Sequence, residues 1–230
     1  MAQRIKGRVL TRRKAQRAIS GGQLQLVKSF LDFEMPEGIV LLLADIENTI
    51  ALRGEDHLSD MVLAKFKELK VDGLRYVILR TNKMKKLVKK SLKEGTSPYY
   101  SGRYTGDFDE MVIQLEGVFG AGHVLLRQPR KVYWPPWGLG KWPRKPWRTT
   151  FRGDVGIIQN KLIAEGKTPL SSSQMMAVGD KFRFDVLRPL LMDWNVALVN
   201  PMGGDGKGDG YAQIRRVERF TLRHLGLKRP

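Results

Sequence analysis

The sequence has no cysteine. That excludes a disulfide scaffold, a thiolate metal site and a cysteine nucleophile, and it fits a reducing compartment. It has no apolar run near the roughly 20 residues of a membrane-spanning helix. The run "GIVLLLA" at residues 38–44 is far too short, so the expectation is an intracellular protein, cytoplasmic or peripheral to a membrane. Histidine is scarce, and His57, His123 and His224 have no spacing suited to a metal site or a catalytic triad. Acids are few: 23 Asp and Glu stand against 41 Lys and Arg, for a formal charge of +18. A field of that sign favours phosphate-bearing partners such as nucleotides, nucleic acid or anionic lipid.

What is present is enough apolar sequence for a buried core. At 230 residues and 42% hydrophobic, the chain can form one well-packed domain with an insertion. Residues 1–21 form a basic arm, with seven Arg or Lys and no acid in the first twenty. Such an arm suits a mitochondrial targeting segment, a membrane-surface or nucleic-acid contact, or a solvated terminus. The domain itself is expected over residues 22–230.

Apolar periodicity orders the elements. Leu24, Val27, Phe30 and Leu31 have helical spacing and predict a helix within residues 21–33. Ile39 to Ala44 reads as a buried strand. "LSDMVLAKFKELK" predicts a helix with Leu58, Met61, Val62, Phe66 and Leu69 inward and Ser59 as its cap. "LRYVILRTN" supplies a second strand, and "KMKKLVKKSLKEG" a lysine-rich helix. A short helix is expected near Asp109 to Leu115. "HVLLR", "MMAVGD" and "NVALVNP" read as further strands, with "KFRFDVLRPLLMDW" as a helix between the last two. Strands alternating with helices predict an α/β fold with a largely parallel sheet.

In such sheets the ligand site lies beyond the carboxyl ends of the strands. The polar residues expected there are Asp45 and Glu47 after the first strand, Thr81 and Asn82 after the second, and Asp180 after "MMAVG", with Asp185 one helical turn on. Gathered carboxylates repel one another unless a cation lies between them, and hard oxygen ligands favour Mg²⁺. A Mg²⁺ site in a basic protein points to phosphoryl chemistry. Strand-end acids also cap helices, so the ordered set carries this reading rather than any one pair.

The ordered segments "LLLADIENT", "VILRTN", a lysine and "MMAVGDKFRFD" resemble the four motifs of the haloacid dehalogenase phosphatase superfamily. The nearest pattern is that of its phosphatidylglycerophosphate phosphatase-like branch, through "DIENT", "TN", "RKP" at Arg144 to Pro146, "GDKFRFD" and "RRVER". The similarity covers roughly residues 22–95 and 143–226 and implies a Rossmannoid, parallel-sheet fold. By this resemblance Asp45 would be the nucleophile, and Glu47 the general acid and base with its carbonyl facing the metal. Thr81 would bind a phosphoryl oxygen, and Lys145 would hold charge between phosphate and nucleophile. Mg²⁺ would be held by Asp45, Glu47, Asp180 and Asp185. Lys141 and Lys161 also lie between the second and fourth motifs; "RKP" selects Lys145. Glu47 departs from the pattern, where the family has Asp, as does Phe184, where a small hydroxyl is common. An extra methylene moves the Glu47 carboxyl by about an ångström, on the order of 100-fold in rate if uncompensated.

An insertion is expected at about residues 96–142, a position at which the family carries caps. The most unusual stretch, from Arg127 to Arg152, holds four of the five Trp and eight Arg or Lys. Arg130, Lys131, Trp134, Trp137, Lys141, Trp142, Arg144 and Trp147 suit an anionic membrane surface presenting a phosphorylated lipid. They equally suit base stacking and phosphate clamping on RNA, or packing of the loop onto the domain. Two functions from different classes follow: a Mg²⁺-dependent phosphomonoester hydrolase, or a catalytically reduced domain binding RNA in a ribonucleoprotein.

Overall fold

The computed structural model describes residues 16–52, 54–81, 108–127 and 146–202, and then 219–220, 222–223 and 226–227. An open sheet of six parallel strands lies between two helical layers. The strands are β1 (Leu24–Val27), β2 (Leu41–Asp45), β3 (Tyr76–Arg80), β4 (Val124–Arg127), β5 (Met175–Gly179) and β6 (Asn195–Val199), in spatial order β1-β6-β5-β2-β3-β4. Among the described residues, the helices with both ends placed are α1 (Asp60–Val71), α2 (Asp109–Phe119), α3 (Pro146–Ala164) and α4 (Leu187–Leu191), the last continuing a π-helical turn at Phe182–Val186. This is the expected α/β class, Rossmann-like in its layering. Among the described residues, no helix is long and apolar enough to cross a membrane.

The strands are apolar on both sides because both sides are covered. Leu42, Ala44, Val77, Leu79, Met176 and Val178 face a core shared with α1 and α2. Leu41, Leu43, Tyr76, Ile78, Met175 and Ala177 face a second core containing Ile158 of α3 and Leu190 of α4. This period of two fixes the register: a slip by one residue would exchange the two cores and move Asp45 to the other face. α1 starts where Val62 N–H donates to Ser59 Oγ at 3.4 Å, as expected from the cap. Val62, Phe66 and Leu69 are buried, whereas Met61 points outward at 67% exposed.

The helix expected within residues 21–33 is not formed. Leu24–Val27 is an edge strand paired with β6, followed by a 3₁₀ turn at Phe30–Asp32. Leu24 and Leu26 turn to one core and Val27 to the other, a two-residue alternation. Four residues with helical spacing were too short a sample to separate the periods. Residues 109–127, inside the expected insertion, form α2 and β4: β4 pairs with β3, and α2 packs on α1. The lysine-rich helix, Asn82, and the basic stretch from Arg130 to Lys145 lie outside the described residues, as does the Trp147 side chain.

Candidate metal and phosphoryl site at the carboxyl edge

β2 and β5 are neighbours at the middle of the sheet, so their ends deliver side chains to one place. Asp45 is the last residue of β2 and Asp180 follows β5 directly. Asp185 returns to them through the π-helical turn: its N–H donates to the Lys181 carbonyl at 2.8 Å, and Lys181 N–H donates to Asp185 Oδ2 at 3.1 Å. Gly179 makes this return feasible. A Cβ on that residue would lie 2.2 Å from Asp185 Cβ, far inside contact distance. Oxygens of Asp45, Asp180 and Asp185 consequently lie within 4.8 Å of one another, and all three residues are buried.

After Asp45 the chain turns tightly. Ile46 N–H donates to the Arg80 carbonyl at 2.9 Å, and Thr49, Ile50 and Ala51 N–H groups all donate to the Ile46 carbonyl at 3.2 Å. Asn48 adopts φ 63°, the left-handed region that Asn tolerates better than most residues. Its carbonyl accepts from Met202 N–H at 2.8 Å, joining this turn to the chain after β6. The turn brings Glu47 beside the end of β3, where Thr81 Oγ1 donates to Glu47 Oε1 at 2.7 Å. Glu47 Oε2 is buried and has no hydrogen-bond partner among the described residues.

Lys181 sits among these acids. Lys181 Nζ donates to Asp180 Oδ1 at 2.6 Å and to Asp45 Oδ2 at 2.9 Å, with its side chain only 8% exposed. Burial pulls the Lys181 amine down, but Asp45, Asp185 and Asp180 together outweigh it and hold it above the ordinary lysine value. Burial raises Asp45 to about 6, with Lys181 opposing and Asp180 and Glu47 adding to the rise. Burial and then Asp45 push Asp185 well above its ordinary value. The raised Asp45 and Asp185 reflect burial first and the neighbouring carboxylates second, with Lys181 opposing both.

The donor set fits a hard divalent cation: three carboxylates in reach of one another, on separate turns of a rigid sheet edge. The Glu47 carboxylate is directed to Thr81 instead of joining those three. Thr81, expected to donate to a phosphoryl oxygen, donates to Glu47 here. Lys145, expected as the charge-bearing lysine, lies outside the described residues. Lys161 is at the opposite edge, donating to the Gly122 carbonyl at 2.9 Å and lying over the Tyr76 ring. Lys181 lies within the fourth segment, outside the stretch between the second and fourth in which the resemblance places its lysine. Its signal was adjacency to Asp180 in "GDKFRFD". A cavity of about 830 Å³ lined by residues including Gln159, Leu170, Met175 and Trp194 also lies at the opposite edge, apart from the acids. No protein-family model and no curated protein matches the chain.

Proposed function

We propose that the chain is a Mg²⁺-dependent phosphomonoester hydrolase of the haloacid dehalogenase type, working through an aspartyl-phosphate on Asp45. The observation that carries this is the buried convergence of Asp45, Asp180 and Asp185 around Lys181 at the carboxyl edge of a parallel sheet. Asp45, Asp180 and Asp185 would hold Mg²⁺, which when bound neutralises developing charge on the transferring oxygens.

The remaining work falls to the side chains. One Asp45 oxygen is the atom for in-line attack on phosphorus, and the other would face Mg²⁺. The Asp45 oxygen to phosphorus bond forms as the ester bond breaks, and the leaving oxygen takes a proton from Glu47. Glu47 then accepts a proton from the water that attacks phosphorus, which frees Asp45 and releases inorganic phosphate. Thr81 fixes one Glu47 oxygen, and the other, Oε2, is the atom available for proton transfer. That clamp is what offsets the longer side chain at a position where the resembled family has Asp.

The substrate the resemblance implies is a lipid phosphate such as phosphatidylglycerophosphate, met at an anionic membrane surface. The test is hydrolysis of an aryl phosphate with Mg²⁺ by wild type and Asp45→Asn. Metal-dependent turnover in the first and its loss in the second are expected; an inactive wild type, or undiminished turnover in the variant, overturns the reading. The +18 charge favours a second reading, a catalytically reduced domain that binds RNA through the basic Trp-rich stretch. That binding should weaken steeply with salt and when Trp137 and Trp142 are replaced by Ala.

A further inference from the structure

Lys181 is both adjacent in sequence to a candidate metal ligand and in contact with two of them. Its ammonium lies 2.6 Å from Asp180 Oδ1 and 2.9 Å from Asp45 Oδ2. Both carboxylates belong to the three whose oxygens lie within 4.8 Å of one another. Mg²⁺ takes carboxylate oxygens at about 2.1 Å. An ammonium in hydrogen-bond contact with one oxygen of each of two of these carboxylates therefore competes with such an ion for those oxygens. The two cations also repel each other in a buried setting, where Coulomb forces are weakly screened.

We propose that Lys181 is the resident counter-ion of this cluster and that a divalent cation binds by displacing its ammonium from Asp45 or Asp180. The inference rests on the proposed reading of the site as a phosphohydrolase centre and adds an order of events to it. The Lys181 backbone stays anchored, because its N–H and carbonyl are both engaged by Asp185. Only the four-carbon stem has to swing, and lysine stems turn readily. The released ammonium remains a side-chain length from Asp45, which makes it the cation that meets the phosphoryl oxygens once the metal has taken its place. One lysine thus serves two states: it shields the acids from one another without metal, and it receives phosphate with metal.

Two affinities measured on the full chain test this. In calorimetric titrations, Lys181→Met should bind Mn²⁺ about tenfold tighter than wild type or better, because a competing charge is gone. In saturating Mg²⁺ the same variant should bind orthovanadate, a phosphate analogue, about tenfold more weakly or worse, because the receiving cation is gone. An equal or weaker Mn²⁺ affinity in a folded Lys181→Met protein overturns the displacement; an unchanged vanadate affinity overturns the receiving role. If the variant does not fold, wild type labelled with ¹⁵N at lysine side chains decides. The shielded ammonium resonance of Lys181 must shift or vanish on saturation with Mg²⁺, and an unmoved resonance overturns the proposal. Metal-dependent hydrolysis with unshifted Mn²⁺ affinity in Lys181→Met contradicts the displacement alone. The expected affinity shift in a protein that hydrolyses no phosphomonoester contradicts the proposed function alone.

Discussion

The carboxyl edge of the sheet is divided by charge. β2 ends in Asp45 and β5 leads into Asp180, whereas the neighbouring β3 and β4 end in Arg80 and Arg127. The register aligns Asp45 with Arg80 and Arg80 with Arg127, so one row across three strands reads acid, base, base. All three are buried, at 3%, 4% and 9% exposure. The strand bodies on the two sides are nearly interchangeable, "LLLA" against "YVIL". A single residue at each strand end therefore decides the chemistry, while the body decides only where that residue stands. The acid half gathers three carboxylates and a lysine. The basic half contributes from the side, since Arg80 lowers the tendency of Asp185 to hold a proton.

The largest effect is expected from breaking the acid half at its centre. Asp45→Asn should lower hydrolysis of an aryl phosphate by at least about a thousandfold, as expected when a covalent nucleophile is removed. Steady-state phosphate release measures this, with circular dichroism to confirm the fold. Next comes Glu47→Gln, which can still accept from Thr81 but cannot deliver a proton. Its kcat should fall about 100-fold, while Glu47→Asp keeps activity or raises it.

A stability effect follows in size. Gly179→Ala places a Cβ 2.2 Å from Asp185 Cβ, and the forced shift should destabilise the protein by about 2–3 kcal/mol in denaturant melts. Mn²⁺ affinity should fall with it, because Asp185 is the group displaced.

The smallest effect is on pH dependence without metal. Asp45 is raised from 3.8 to about 6, so between those values the folded state holds a proton that the unfolded chain has released. The contribution of this group to stability is therefore greatest below about pH 4 and is lost as pH rises through 6, on the order of 3 kcal/mol. Lys181, held above its ordinary value, stays charged in both states across that window and adds no slope. Urea midpoints of metal-free wild type should fall from pH 4.5 to 7 relative to those of Asp45→Asn. A difference that does not change with pH would show that Asp45 titrates as it does in the unfolded chain.

Much of this edge was legible in the sequence. β2, β3, β5 and β6 read as continuous apolar runs because both faces are covered, and α1 carried its own cap at Ser59. The positions of Asp45, Thr81, Asp180 and Asp185 followed from the rule that ligand sites lie at strand carboxyl ends. Local patterns failed where the deciding interaction was not local. Residues 24–27 pair with β6 across some 170 residues of sequence, and the helical spacing through Phe30 and Leu31 masked a two-residue alternation. Glu47 was expected among the metal-holding acids, but its carboxylate accepts from Thr81, a bond that depends on how β3 ends beside the turn. Lys181 was hidden for the opposite reason: in a chain with 41 cations, a lysine is noticed only when three buried acids surround it.

The central claim is that Asp45 takes the phosphoryl group. Acid quench of wild type during turnover of an aryl phosphate with Mg²⁺, followed by peptide mass spectrometry, tests it directly. One added phosphoryl group is expected on the peptide containing Asp45, absent when Mg²⁺ is chelated and absent in Asp45→Asn. Turnover with no phosphoryl group on that peptide under conditions that preserve acyl phosphates, or a group carried by Asp180 or Asp185 instead, would contradict it.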